Sequence, residues 1–176
     1  MTSKHSFIPF DIDRPTRFSE FVGSQPAIKR VTKMISQDRL PRLIFLTGPT
    51  GVGKTTLARI IARAKICENR KKGQFEPCET CQYCRRTVNN TTCGLTQYFE
   101  YDANEFTIDL INDFRLDILR PWEVHFIDEL QDMNPQLLKR MRKILEGATA
   151  TIILTTTHPD EIEDAFRKRL KSYEYH

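Results

Sequence analysis

The chain has 176 residues, 39% of them hydrophobic and 28% charged, with a formal net charge of +4. This composition is that of an ordinary globular domain, and its mild basicity permits a nucleic-acid partner without arguing for one. No run approaches the roughly 20 apolar residues of a membrane span, and the N-terminus has no apolar signal core. We therefore expect a single cytoplasmic domain over residues 1–176, with no membrane partner.

Predicted strands and helices alternate from residue 42 onward. After a helix that begins near Pro26, the elements in chain order are a strand in RLIFLTG, a helix in KTTLARIIARAKI, a strand in QYFEYDA, a helix in FTIDLINDFRLDIL, a strand in EVHFIDE, a helix in NPQLLKRMRKILEG, a strand in ATIILTTT, a short helix in PDEIEDAFRKR and a fifth strand in SYEYH. The alternation predicts an α/β domain with a five-stranded, mainly parallel sheet and helices on both faces. Ligands of such sheets bind at the carboxyl ends of the strands.

The stretch GPTGVGKTT follows the first predicted strand and opens a helix. It matches G-x-x-x-x-G-K-[ST], in which glycines let backbone N–H groups face a phosphate chain at the positive end of a helix dipole. Lys54 is expected to reach the β- and γ-phosphates, and the Thr55 hydroxyl is expected to bind Mg²⁺. The predicted nucleotide-binding residues of this P-loop are Gly48, Pro49, Thr50, Gly51, Val52, Gly53, Lys54, Thr55 and Thr56.

Two acidic residues, Asp128 and Glu129, end the predicted strand VHFIDE. Beside a P-loop, Asp128 is expected to hold Mg²⁺ through its water shell, and Glu129 to orient and deprotonate the attacking water. The next predicted strand ends in Thr155, Thr156 and Thr157, where a hydroxyl would touch the γ-phosphate or that water. Ordinary β-branched strand filling explains these threonines equally well.

Four of the five cysteines lie at positions 67, 78, 81 and 84, just after the P-loop helix. In a reducing compartment, clustered cysteines are more often metal ligands than disulfides, and the spacing Cys-x10-Cys-x2-Cys-x2-Cys suits four thiolates around one Zn²⁺. We expect a structural zinc site formed by Cys67, Cys78, Cys81 and Cys84, in an insertion over about residues 67–93. An iron–sulfur cluster uses similar spacing. Thiol redox chemistry is disfavoured because neither Cys-x2-Cys pair is singled out, and Cys93 remains as a packed or free thiol.

The P-loop, the acidic pair and the threonine-rich strand end, in this order, resemble an AAA+ ATPase, which implies the RecA-like P-loop NTPase fold. The lead-in DRPTRFSEFVGSQPAIKRV resembles the opening of bacterial clamp loaders, although Ser24 intervenes before Gln25 and Asp13 replaces an aromatic residue common there. The cysteine cluster is similar in place and spacing to the zinc module of the γ/τ subunit of the bacterial DNA polymerase III clamp loader, with a slightly longer first gap.

This resemblance implies further site residues. Val22 joins the nucleotide-binding set, and Thr157 takes the place of the sensor threonine. Arg169 takes the place of the arginine in a Ser-Arg-Cys motif, of which only the arginine is kept in the sequence KRL. The helical lid and the collar that follow in the family are expected to be absent from this chain, so weak ATPase activity is expected of the isolated domain.

The resemblance implies an ATP-hydrolysing motor that uses ATP and Mg²⁺ to open a sliding clamp and load it on primer–template DNA. Arg169 would act in trans on the ATP of a neighbouring subunit within a ring-like or arc-like assembly. One alternative is a non-hydrolysing structural subunit, which the intact Lys54, Thr55, Asp128 and Glu129 disfavour. The other is a different DNA-associated AAA+ protein, such as a helicase loader or branch-migration motor, which the cysteine module disfavours.

Overall fold

The protein is built around a sheet of five strands. Its structure, a computed structural model, describes residues 14–89, 97–161 and 171–174. The strands are β1 (Leu43–Thr47), β2 (Tyr98–Asp102), β3 (Val124–Asp128), β4 (Thr151–Thr156) and β5 (Lys171–Glu174). They form one sheet in the order β2-β3-β4-β1-β5, and each neighbouring pair is parallel. The prediction of an α/β fold with a mainly parallel sheet is confirmed.

Helices lie on both faces of the sheet, as predicted. They are α1 (Gln25–Ser36), α2 (Lys54–Ile66), α3 (Gln82–Asn89), α4 (Ile108–Asp117) and α5 (Pro135–Glu146). Because side chains alternate along a strand, Ile44 and Leu46 of β1 pack with residues of α1 and α2, whereas Phe45 packs with residues of α4 and α5. No helix in the described ranges is long and apolar enough to cross a membrane.

Helix α5 shows how local sequence sets an element's limits. The side chain of Asn134 accepts a hydrogen bond of 2.9 Å from the backbone N–H of Gln136, Pro135 is the first helical residue, and Gly147 follows the last. The helix predicted in PDEIEDAFRKR begins as a short 3-10 turn at Pro159–Glu161, and its remainder lies outside the described residues.

The stretch that carries the four clustered cysteines, residues 67–89, is called the cysteine segment below. Arg70 anchors this segment to the end of α1. The guanidinium donates hydrogen bonds to the carbonyls of Ala64 at 2.9 Å and Ile35 at 3.1 Å, and it pairs with Asp38 at 2.8 Å. The hydrogen bond from Arg70 holds the pKa of the Asp38 carboxyl below its usual value. The segment therefore docks on the same face of the sheet as α1 and α2.

The cysteine segment also holds the chain that precedes α1. The carboxylate of Glu76 accepts hydrogen bonds from the backbone N–H groups of Phe18 at 3.0 Å and Ser19 at 2.9 Å. The hydroxyl of Thr16 donates a hydrogen bond to the carboxylate of Glu79. The N–H groups of Phe18 and Ser19 begin a 3-10 turn over Phe18–Glu20, so Glu76, which is distant in sequence, caps this turn.

Candidate functional site

The P-loop joins β1 to α2 and depends on its glycines. Gly51 and Gly53 have φ angles of 84° and 92°, in the left-handed region that favours glycine. A Cβ on Gly53 would also lie 2.8 Å from the ring of Phe21, so a larger residue would displace that ring. Gly53 precedes α2 and offers no side chain to the first-turn amides, which leaves the positive end of the helix facing the loop.

Lys54 lies across this loop. Its side chain is 5% exposed, and its ammonium donates hydrogen bonds to the carbonyls of Gly48 at 3.0 Å and Pro49 at 3.1 Å. Burial of a charged amine requires such partners. The loop therefore holds a positive charge among backbone dipoles, where a phosphate chain is expected to bind.

The carboxylate of Asp128 joins three elements at the carboxyl edge of the sheet. Thr55, in the first turn of α2, donates a hydrogen bond of 2.8 Å to its Oδ2. The buried hydroxyl of Thr155, on the neighbouring strand β4, donates to its Oδ1. The hydroxyl and carboxylate oxygens of Thr55 and Asp128 are hard donors in mutual reach, and this donor set fits Mg²⁺.

Glu129 adopts a backbone conformation that is rare for residues other than glycine, with φ 50° and ψ 56°. Its N–H donates to the hydroxyl of Thr155 at 3.0 Å and to Oδ1 of Asp128 at 3.1 Å, and these bonds hold the unusual turn. The turn places the partly buried carboxylate of Glu129 beside Thr157 at the end of β4, with 3.4 Å between Oε2 and the Thr157 hydroxyl.

Gln131 joins these groups and is absent from the residues that the sequence motifs indicate. Its Nε2 donates to Oε2 of Glu129 at 2.7 Å and to the hydroxyl of Thr157 at 3.0 Å. Its Oε1 accepts from the hydroxyl of Thr156 at 2.5 Å and from the backbone N–H of Thr157 at 3.3 Å. The available signal was proximity in sequence, because Gln131 follows the acidic pair by two residues.

The remaining predicted residues fall into three groups. Thr50 is exposed on the loop, whereas Val52 and Thr56 are partly buried. Val22 follows Phe21, whose ring contacts Gly53, and Val22 itself is 92% exposed. Arg169 and Cys93 lie outside the described residues, so the structure describes neither of them.

The four predicted cysteine ligands come together. The Sγ atoms of Cys67, Cys78, Cys81 and Cys84 all lie within 4.8 Å of one another, and the four residues form no disulfide. Backbone N–H groups point at the sulfurs: that of Cys78 at Cys67 (3.3 Å), that of Cys81 at Cys78 (3.2 Å) and that of Cys84 at Cys81 (3.4 Å). Such bonds favour thiolates, so four clustered sulfurs with amide donors fit a tetrahedral thiophilic cation.

The thiols differ in their electrostatic surroundings. Burial raises the pKa of Cys84 and of Cys67. Burial also opposes ionisation of Cys78, but hydrogen bonds from Thr80 and from the N–H of Cys81 lower its pKa to about 6. A buried thiolate without a partner is costly, and a bound cation offsets that cost.

Comparisons with known proteins identify the family. Residues 23–175 match the family model described as DNA polymerase III, delta subunit. The chain is 34% identical over 169 residues to the DNA polymerase III subunit gamma/tau of Mycoplasma pneumoniae, with 91% of this chain and 24% of that protein covered. It is 28% identical over 174 residues to the DNA polymerase III subunit tau of Bacillus subtilis, with 94% of this chain and 30% of that protein covered. The chain thus spans less than a third of these relatives.

Solved structures agree with the fold. The Thermotoga maritima RuvB Holliday junction branch migration motor superposes with a TM-score of 0.61 at 19% identity, over 92% of this chain and 48% of that one. A DNA polymerase III gamma subunit-related protein from Thermotoga maritima gives a TM-score of 0.50 at 13% identity, over 83% and 44%. At these identities the likeness concerns the fold alone. Together with the family match, it shows that the chain belongs to the DNA polymerase III delta-subunit family as an AAA+ domain of the clamp-loader type.

Proposed function

We propose that this domain binds ATP with Mg²⁺ and hydrolyses it as the motor of a clamp loader, which opens a sliding clamp and places it on primer–template DNA. One observation carries the proposal: the ends of β1, β3 and β4 bring Lys54, Thr55, Asp128, Glu129 and Thr157 together beside one glycine-rich loop. The names of the gamma/tau relatives supply the biological setting.

Binding would use the loop and the first turn of α2. The amides of residues 48–56 would surround the phosphates, and Lys54 would exchange its two carbonyl partners for the β- and γ-phosphates. Thr55 and Asp128 would hold Mg²⁺, which would neutralise charge on those phosphates. Val22, which is exposed, would contact the rest of the nucleotide.

Hydrolysis would use the carboxylate of Glu129 to orient a water and accept its proton. The hydroxyl of Thr157 would touch the γ-phosphate or that water. Arg169 would reach the ATP of a neighbouring subunit and stabilise charge in the transition state, which would link hydrolysis to assembly. The proposed partners are therefore other clamp-loader subunits, the clamp and primer–template DNA, in a cytoplasmic setting.

The cysteine cluster would hold Zn²⁺ through Cys67, Cys78, Cys81 and Cys84, as a structural site with a filled coordination sphere.

A branch-migration motor remains the second candidate function because the fold also resembles such a protein. Two observations favour the clamp loader: the sequence similarity to gamma/tau subunits, and the cysteine cluster beside the P-loop helix.

Replacing Glu129 by Gln tests the proposed reaction. Glu129→Gln keeps the size and hydrogen-bonding reach of the side chain but removes the base, so ATP binding should persist while hydrolysis falls roughly 100-fold or more. Binding is measured by titration with a fluorescent ATP analogue, and hydrolysis by phosphate release under single-turnover conditions with the chain in excess. Asp132→Asn, which neutralises a nearby exposed acid, is the matched control. Hydrolysis by Glu129→Gln at the wild-type rate in the complex with partner subunits would remove Glu129 as the base.

A further inference from the structure

We propose that Gln131 is a positioning residue for ATP hydrolysis, whose amide holds the carboxylate of Glu129 against the hydroxyl of Thr157. The inference rests on the proposed function and deepens it, because it names the group that fixes the base. It differs from the motif residues because Gln131 would contact neither the nucleotide nor the metal.

The contacts of Glu129 show what needs fixing. Its backbone is held by Thr155 and Asp128, but its side chain has several rotatable bonds beyond that turn. Within the described part of the chain, the hydrogen-bond partners of its carboxylate are Gln131 at 2.7 Å and Thr157 at 3.4 Å. The shorter contact, from Gln131, therefore contributes most to the orientation of this carboxylate.

The chemistry of the partners fixes which end of the Gln131 amide faces which group. The backbone N–H of Thr157 can only donate, so the atom that it approaches must be the amide oxygen. An ionised carboxylate can only accept, so the atom at 2.7 Å from Glu129 must be the amide nitrogen. Both requirements are met by one orientation, and the opposite orientation would break both contacts.

Gln131 is itself held from the strand side. Its oxygen accepts hydrogen bonds from Thr156, a fully buried residue of β4, and from the backbone of Thr157. Glu129 is thereby connected through a single amide to the rigid end of the central strand. A catalytic group that moves by about 1 Å can lose about 100-fold in rate, so such a connection is functionally significant.

The position of the amide leaves one carboxylate oxygen for chemistry. Both described contacts of the Glu129 side chain involve Oε2, and Oε1 has no hydrogen-bond partner among the described residues. Gln131 would therefore anchor one oxygen while the other remains available to accept a proton from water. An amide does this without adding a formal charge next to the base.

Replacing Gln131 by Met tests this role, since methionine has similar length and no hydrogen-bonding amide. Gln131→Met should bind the fluorescent ATP analogue within twofold of wild type, whereas single-turnover hydrolysis should fall about tenfold or more. Gln136→Met, which changes an exposed glutamine in the first turn of α5, should alter neither quantity. Hydrolysis by Gln131→Met within twofold of wild type would overturn the inference. So would a loss of ATP affinity as large as the loss of rate, because it would indicate general damage to the site.

A charge exchange provides a readout that needs no activity. Gln131→Glu places a second carboxylate against Glu129, and the repulsion should lower the melting temperature. Adding Glu129→Gln restores an amide–carboxylate pair, so the double variant should regain at least half of that loss, although it should remain unable to hydrolyse ATP. Additive losses would mean that the two side chains do not interact, and the inference would fail.

The two proposals fail in different ways. A wild-type chain that does not bind ATP contradicts the proposed function, whereas the melting experiment still reports whether Gln131 contacts Glu129. If wild type binds ATP but, within the complex with its partner subunits, hydrolyses it no faster than Glu129→Gln, the hydrolytic role of both residues is contradicted. If wild type binds and hydrolyses ATP and Gln131→Met hydrolyses it at the same rate, only the positioning role of Gln131 is contradicted.

Discussion

Lys54 shows how a single charged side chain is kept at a binding loop. Its ammonium is almost completely buried, yet two carbonyls of the same loop accept its hydrogen bonds. Carbonyl dipoles satisfy the charge without neutralising it, so the group keeps its attraction for an anion. The fold of residues 48–54 alone thus holds this charge where we propose that the phosphates bind.

We expect Lys54→Met to weaken ATP binding by roughly 10- to 100-fold, because a hydrogen bond to a charged group contributes about 1.5–3 kcal/mol. Lys65→Met, which removes an exposed lysine from the last turn of the same helix, provides the matched control. Titration with the fluorescent ATP analogue measures both. If the two variants bind equally well, the phosphates do not depend on Lys54.

Candidate site residues could be predicted where they belong to a sequence motif. They could not be predicted where contacts between distant parts of the chain bring them to the site. The sequence predicted the residues of the P-loop and the acidic pair because each sits at a strand end with its own pattern. Gln131 was missed because no motif includes it, and its partners Thr156 and Thr157 lie about 25 residues away in the chain. The geometry of Thr155 beneath Asp128 required the pairing of β3 with β4.

The cysteine segment is an element in which four clustered sulfurs take the place of a larger apolar core. Helix α3, with Cys84 in it, follows directly after Cys81, and three successive amide-to-sulfur bonds define the path of the loop. A loop of this kind has little apolar surface to bury. A metal ion would supply most of its folding free energy.

We expect the purified chain to hold a single Zn²⁺, measured by elemental analysis, and to melt at a lower temperature after treatment with a chelator. Cys81→Ser removes one buried ligand, so this variant should lack the metal and should melt at a temperature that no longer depends on chelator. A wild-type chain free of both zinc and iron would contradict the proposed metal site. Iron with a visible absorption band would instead identify an iron–sulfur cluster.

Most regular elements were predictable, because long stretches with one periodicity give strong signals. Helix α5 combines an apolar face with signals at both ends, and the structure confirms it over Pro135–Glu146. Helix α3 was not predicted, because its eight residues are too few to show a helical period and lie partly within the cysteine pattern.

At the scale of the whole molecule, one series of contacts links the cysteine segment to the P-loop. Glu76 caps the 3-10 turn over Phe18–Glu20, and the next residue, Phe21, places its ring against Gly53. Val22, with its exposed side chain, follows at once. The segment expected to contact the nucleotide is thus held from two sides. None of this was predictable from the sequence, because the partners are almost 60 residues apart.

We expect Glu76→Gln to weaken ATP binding severalfold, because the amide replaces one acceptor with a donor and leaves a backbone N–H without its partner. Glu105→Gln, an exposed acid after β2, should have no effect. Fluorescent ATP titration in excess Mg²⁺ gives the affinities, and wild type stripped of its thiolate-bound metal before the titration should shift in the same direction. Unchanged affinity in Glu76→Gln would show that the two regions are independent.

The order of the strands has a consequence for how the domain is made. Strand β1 lies between β4 and β5, both of which follow it by roughly 100 residues or more. On a ribosome that adds about 5–20 residues per second, β1 is exposed for on the order of 5 to 20 s before its first partner exists. During that time, an apolar strand has both edges unpaired, which is the situation that favours aggregation. The strand that leads into the P-loop is thus the first of the five to be synthesised and the last to be paired, so an interrupted chain is expected to expose it.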